Sequence, residues 1–233
     1  MSNTSNGAIA RGANGMFAVI FEVRPRPDQW DAYLALAQEL RPRLIAMDGF
    51  LSVERFSARR TPGLLLSFSL WRDEKALVRW RTEGRHHAVQ ELGRTKTFED
   101  YHLRIGEAVS DSAGDEAPLQ QRFDATQVGS AKGVGILEVA MTTSAGAFLA
   151  EEEFSALLAG SGVDLAQCEI YDSIYTPGKS LLLFPLEEAA PLPAWEAAEG
   201  EARRALRVRI IRDYGMFDRR EAPQYYPEAP HAG

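Results

Sequence analysis

Cysteine is nearly absent: Cys168 is the only one in 233 residues. That excludes an intramolecular disulfide and any zinc site built from several thiolates. Set between Gln167 and Glu169 in a strand-like run, the lone thiol reads as a packed side chain rather than a nucleophile. Histidine is scarce too, with four residues, of which His86 and His87 are neighbours. Adjacent helical residues point about 100° apart, and no third histidine sits on an evident matching element, so a metal centre is not expected. An excess of basic residues is missing as well. The formal net charge is −7, which argues against nucleic acid as the main partner. No apolar run approaches the roughly 20 residues that span a bilayer. The first 15 residues lack the basic stretch and apolar core of a signal peptide and read as a flexible extension. A soluble, cytoplasmic protein with no membrane partner is the expectation. The apolar fraction, 45%, is that of a globular chain with a real core, as one domain or two small ones.

What the chain does contain is itself, twice. TPGLLLSFSL at 61–70 matches TPGKSLLLFPL at 176–186. The spacing is 115 residues from Thr61 to Thr176, from Trp80 to Trp195 and from Glu54 to Glu169. FEV at 21–23 returns as LEV at 137–139, so Glu22 and Glu138 are also counterparts. A repeated carboxylate at a half-buried strand position points to a structural bond with arginine or backbone. Four matches at nearly one period describe a duplicated unit.

In the first copy, MFAVIFEV (16–23) is a short apolar strand. RPRPD breaks it, Asp28 is placed to cap a helix, and Trp30, Tyr33, Leu34, Ala37, Leu40 and Leu44 recur at helical spacing. Pro42 should end or kink that helix. GFLSVERF (49–56) and LLLSFSLW (64–71) are strands joined by the Thr-Pro-Gly turn, Asp73 can cap a second helix, and YHLRIGEAV (101–109) closes the unit. The order β-α-β-β-α-β is ferredoxin-like. The second copy repeats it with strands at 134–141, 166–174, 180–186 and 207–213, a helix over 148–158 and another near Trp195, where Pro191 and Pro193 leave it little room. The expected division is thus an extension (1–15), repeat one (16–109), a polar linker (110–131), a degenerate repeat two (132–213) and a tail (214–233). RHHAVQELGR has no counterpart in copy two, so any chemical site belongs to copy one.

The strand ending in Trp71, then RDEKALVRWR, a histidine, the Ala88-x-Gln90 pair, Gly93-Arg94 and F-x-D-Y-x-L-R at 98–104 resemble the antibiotic biosynthesis monooxygenase (ABM) family. The resemblance covers Met16 to about Val109, and more weakly 134–223. It implies a dimeric-type α+β barrel in which two ferredoxin-like sheets meet. Because one such sheet has helices over a single face, a partner must cover the other. With two units in one chain, the barrel can close within the chain as a monomeric pseudo-dimer; a homodimer is the other arrangement.

Family members include cofactor-independent oxygenases of phenolic or quinol-type aromatics and haem-degrading enzymes. A deprotonated electron-rich phenol can itself reduce O2, so the protein need supply only a dry pocket, a proton acceptor and oxyanion donors. The expected function is therefore a monooxygenase of a small aromatic substrate with O2 and no bound cofactor. Haem or aromatic-ligand binding, and a non-catalytic ABM-fold protein, are the alternatives. His86 matches the family histidine and is the candidate base, with His87 turned away from it. Trp71 and Tyr101 are the other candidate catalytic residues, Tyr101 as a donor to an oxyanion. Ser67 and Ser69 share a strand face with Trp71 by period-two alternation, and with Phe21 and Trp80 they are the expected substrate contacts. Trp80, repeated at Trp195, also reads as a structural tryptophan between helix and sheet. Against haem stand Gln90, where haem-degrading relatives have a ligating histidine, and a first strand without their asparagine.

Overall fold

A computed structural model describes residues 16–113, 133–141, 146–186 and 192–223. The expected extension (1–15), most of the linker and the end of the tail lie outside the described residues. Repeat one consists of β1 (Met16–Pro25), α1 (Trp30–Ile45), β2 (Phe50–Ala58), β3 (Leu65–Trp71), α2 (Glu74–Arg81), α3 (Gly84–Leu92) and β4 (Phe98–Asp111). Repeat two consists of β5 (Val134–Met141), α4 (Glu151–Leu158), β6 (Glu169–Ser173), β7 (Lys179–Pro185) and β8 (Glu201–Gly215). The eight strands close into one barrel in the order β1-β3-β2-β6-β7-β5-β8-β4. One chain therefore builds the whole α+β barrel.

Two seams join the repeats. Along one, β4 pairs antiparallel with β8 from His102–Gly215 to Asp111–Leu206. The other is short: Phe56, Ser57 and Ala58 of β2 meet Ser173, Asp172 and Tyr171 of β6. There the Arg59 guanidinium grips the Asp172 carboxylate with bonds of 2.7 and 2.6 Å.

Strand alternation sorts the side chains into three cores. The interior of the barrel is filled by Ala18 and Ile20 of β1, Phe56, Leu66, Phe68 and Leu70, facing Ile136, Tyr171, Leu181, Leu206 and Val208 of the second repeat. Each fully buried side chain of this kind contributes about 1.5–3 kcal/mol, so the interior is a solid core that welds the repeats. Glu22 and Glu138 share this inward side and make the structural bonds that their repetition implied. Glu22 accepts from the Tyr171 hydroxyl at 2.6 Å and pairs with Arg104 and His102. Glu138 pairs with Lys179 at 2.8 Å.

Outside the barrel, each repeat carries its own helix layer. In repeat two, Leu137, Val139, Ile170, Leu182 and Phe184 pack against Leu149, Phe154 and Leu158. Trp195 closes this layer, its indole edge-on to Phe184 and its Nε1 donating to the Leu157 carbonyl at 3.0 Å. The helix expected near Trp195 is not formed: the described residues 192–200 carry no helix. Pro193 pushes the residue before it, Leu192, out of the helical region of the backbone just ahead of Trp195. Pro42, expected to end or kink α1, does not end it: it lies inside, three residues before Ile45, with Ala46 N donating to the Pro42 carbonyl at 3.1 Å. Asp28 does not cap α1 by side chain; it sits in a 3-10 turn, Pro27–Gln29, leading into the helix.

Candidate active site

In repeat one the outer layer is not filled. Between α1, α2 and α3 and the outward face of β1–β4 lies a cavity of about 200 Å³. For scale, a cavity of roughly 150 Å³ is enough for benzene, so the space suits a one-ring molecule with short substituents. The outward face is the one carrying Val19, Phe21, Ser67, Ser69 and Trp71, as period-two alternation groups them.

Local sequence explains how the roof is set. Tyr33, Ala37, Leu40 and Leu44 recur along α1 and turn one face onto the cavity. Asp73 caps α2, its Oδ1 accepting from Ala76 N at 2.7 Å, and this sets Leu77 and Trp80 inward. Glu83 then accepts from His86 N at 2.7 Å and starts α3. Arg85 grips Glu39 across the surface at 2.8 and 3.0 Å, tying α3 to α1. After α3 comes a π-helical turn, Gly93–Thr97, an irregularity common at functional sites. Gly93 is required there because a Cβ would stand 2.4 Å from the Phe98 ring.

The residues expected to carry the site, His87 apart, reach this cavity. His86, Trp71, Tyr101, Trp80, Ser67, Ser69 and Phe21 all line it; His87 points to solvent. The imidazole of His86 lies flat on the Trp80 indole, centroids 4.1 Å apart and planes at 15°. Its Nδ1 is 2.9 Å from the Trp80 carbonyl. Since a carbonyl only accepts, Nδ1 carries the hydrogen and Nε2 keeps the lone pair. Burial pulls the His86 pKa down to about 4, outweighing the Trp80 carbonyl and the Glu83 carboxylate that raise it. The ring is neutral at pH 7.

Trp71, 1% exposed, is held edge-on by Phe50 and stacks toward Trp80 at 6.4 Å. Its Nε1 donates to Ser69 Oγ at 3.0 Å. The indole N–H is thus engaged, and the Ser69 hydroxyl is left as the donor on that wall. Phe21 packs against Phe98 and Tyr101 at 6.0 and 5.5 Å. The Tyr101 hydroxyl accepts from Arg94 at 2.8 Å and from Arg219 at 2.6 Å, so its own O–H remains to donate.

Sequence reasoning passed over the arginines and two tyrosines. Arg55, Arg81, Arg94 and Arg219 line the cavity, as do Tyr33 and Tyr214. Burial raises the Tyr33 pKa, and raises that of Tyr214 to about 12. Arg94, 3% exposed, also donates to the Met216 carbonyl at 3.1 Å. Arg219 and Tyr214 come from the far end of repeat two, because Met216 N pairs with the Tyr101 carbonyl at 3.0 Å and carries the chain across the seam. The quoted motifs held one signal for these residues, Gly93-Arg94.

An α+β barrel with an apolar cavity beneath one helix layer, carrying a neutral imidazole and several hydrogen-bond donors, has the make-up of a small-molecule enzyme. The model of the family described as antibiotic biosynthesis monooxygenase matches residues 16–92. A protein of Pyricularia oryzae named jasmonate monooxygenase ABM is 40% identical over 220 residues, covering 92% of this chain and 100% of that protein. The chain belongs to the antibiotic biosynthesis monooxygenase family and is a monooxygenase-type oxidoreductase. Among solved structures, an antibiotic biosynthesis monooxygenase is 21% identical, over 40% of this chain and 99% of that one, at a TM-score of 0.37. A Mycobacterium tuberculosis protein is 24% identical, over 46% and 97%, at a TM-score of 0.33. At such scores neither structure bears on the site.

Proposed function

We propose that the chain oxidises a small, largely apolar one-ring substrate with O2, without a bound cofactor, in the cavity beneath α1, α2 and α3. The observation that carries this reading is the cavity itself, walled by His86, Trp71, Ser69 and Tyr101. Its lining, apolar for the most part, limits how far water can quench developing charge. His86 Nε2 is the proton acceptor, and the Ser69 and Tyr101 hydroxyls are the donors to the anion that forms. The substrate anion itself reduces O2. Conversion of a CH2 to a carbonyl with O2, releasing water, balances without outside electrons, as does oxidation of a phenol to a quinone.

The phenol or quinol class meets one energetic demand. Proton transfer from a phenol of pKa ~10 to an imidazole at about 4 is uphill by roughly 8 kcal/mol. Donors on the phenolate must offset much of that. A second substrate class is favoured by the Pyricularia oryzae relative, whose name specifies jasmonate: a one-ring apolar carboxylate. Haem fits this cavity poorly. About 200 Å³ lies below the ~300–1,000 Å³ of sites for drug-sized ligands, and Gln90, where haem-degrading relatives ligate iron, turns its amide nitrogen to the His86 ring, 3.4 Å from Nε2 and its lone pair.

The test is oxygen uptake with hydroquinones, naphthols and jasmonate, with and without NADH, using the wild-type chain and His86→Ala. Uptake that depends on His86 is expected. Uptake that never exceeds the protein-free blank, or that ignores the substitution, overturns the proposal.

A further inference from the structure

The cavity is electrostatically one-sided. Four guanidiniums line it, from Arg55, Arg81, Arg94 and Arg219, and no aspartate or glutamate does so among the described residues. Elsewhere on this molecule a partly buried arginine meets a carboxylate: Arg104 meets Glu22, Arg204 meets Asp111 and Arg209 meets Glu107. Of the four cavity arginines, Arg55 forms no ion pair among the described residues, and holding a cation beside apolar surface without a counter-ion is unfavourable, so its placement suits a ligand that brings the negative charge.

The positions of the four differ. Arg94 and Arg219 donate to the Tyr101 hydroxyl. Arg55 makes no ion pair among the described residues, and its Nε is buried without a hydrogen-bond partner. Its neighbour in the cavity is the Tyr33 hydroxyl, a neutral group at pH 7. Strand register fixes where it stands. Phe21, Ser67 and Arg55 form one row across β1, β3 and β2, while Trp71, stacked toward Trp80 and His86, lies four residues further along β3. At ~3.3 Å per residue that is about 13 Å of strand.

We propose that Arg55 is the anion anchor of this cavity and that the substrate is an apolar acid. Its carboxylate meets Arg55 at the Ser67 row, and its ring or chain lies toward Trp71 and His86. This rests on the cavity's being the monooxygenase site, and it adds the substrate class and the direction in which the substrate lies. Arg55 is a specificity residue: it holds the end of the molecule remote from the reacting carbon. A bidentate guanidinium–carboxylate contact in such surroundings is strong, and its loss should weaken binding roughly ten- to a hundredfold.

Binding is read without turnover, from quenching of the cavity tryptophans Trp71 and Trp80. The probes are jasmonate, 4-butylbenzoate and the methyl ester of each, titrated into wild type, Arg55→Gln and Arg55→Lys. Wild type is expected to bind the acids at least tenfold more tightly than the esters. Arg55→Gln should lose that preference while keeping its ester affinity, which also shows that the variant is folded; Arg55→Lys should retain part of it. Esters that bind wild type as well as acids, an acid preference that survives Arg55→Gln, or no acid binding at millimolar concentration each overturn the anchor. Arg55-dependent acid binding with no oxygen uptake keeps the anchor and overturns the proposed function. Uptake with neutral phenols alone, and no acid preference, does the reverse.

Discussion

Lowering the pH from 7.5 to 4.5 should cost this protein stability through one side chain, His86. Its folded-state pKa is about 4 against an ordinary 6.5, because the imidazole is shut between Trp80 and the cavity. Between those values the unfolded chain binds a proton that the folded chain refuses. The stability that His86 contributes is therefore complete above pH ~6.5 and erodes as pH falls toward 4. Linkage at 1.36 kcal/mol per unit puts the loss at pH 4.5 at about 2.5 kcal/mol. The comparison is His86→Asn, whose side-chain amide can still donate to the Trp80 carbonyl. Urea unfolding of both proteins at the two pH values isolates the term, since every other titrating group is common to them. The wild type should lose about 2.5 kcal/mol more than the variant. An imidazole NMR titration, with the His86 resonance assigned by its absence from the variant, should show a midpoint near pH 4. Equal losses in both proteins, or a midpoint near 6.5, would refute the account of a dry and neutral His86 and with it the assignment of Nε2 as a ready acceptor.

Glu22 works in the other pH window: Tyr171, Arg104 and His102 hold its carboxyl at a pKa of about 2 despite the burial that raises it. Its contribution, about 3 kcal/mol, is present above pH 4.5 and lost as pH falls toward 2, so Glu22→Gln should flatten acid unfolding below pH 4.5. His102, raised to about 9 by Asp213 and Glu22, stabilises fully below pH 6.5 and loses this as pH rises through 9; Glu22→Gln should shrink that alkaline slope as well. In the β4–β8 seam, a Cβ on Gly106 would stand 2.4 Å from the Arg209 carbonyl oxygen and 2.6 Å from Val208 Cγ1. Gly106→Ala should therefore cost about 1–3 kcal/mol in urea unfolding, and an unchanged midpoint would mean that the seam relaxes freely.

Much of this architecture can be read from the chain because it is written twice. Trp80 and Trp195, or Glu22 and Glu138, give the period, and each copy then yields the same strand and helix order. The reading fails where a local rule meets a tertiary demand. Pro42 stays helical although its missing N–H leaves the Gln38 carbonyl without its helical donor, and the helix ends three residues later at Ile45. The segment around Trp195 keeps its tryptophan but not its helix, since Pro193 turns the preceding residue away from helical backbone. At the site, alternation placed Ser67, Ser69 and Trp71 on one face, and helical geometry separated His86 from His87. Neither rule says whether that face meets the helices or the barrel interior; that depends on which side repeat two covers. The arginines escape for a related reason. Nothing in GFLSVERF says which neighbours Arg55 has until register sets it beside Ser67 and Phe21. Arg219 is more than a hundred residues from Tyr101 in the chain and reaches it only because the chain leaving β8 crosses β4.

Closing both seams within one polypeptide changes what evolution is able to alter. In a symmetric pair of identical subunits, each substitution is made twice, and a residue that suits one pocket must also suit its twin. Here the halves are separately editable. The second has traded its pocket for the filled layer of Phe154, Leu158, Phe184 and Trp195, yet it lends Tyr214 and Arg219 to the pocket of the first. A ligand should then saturate at one molecule per chain. The residues that tune its binding are spread over both halves, so neither ancestral unit, expressed alone, would present the same walls.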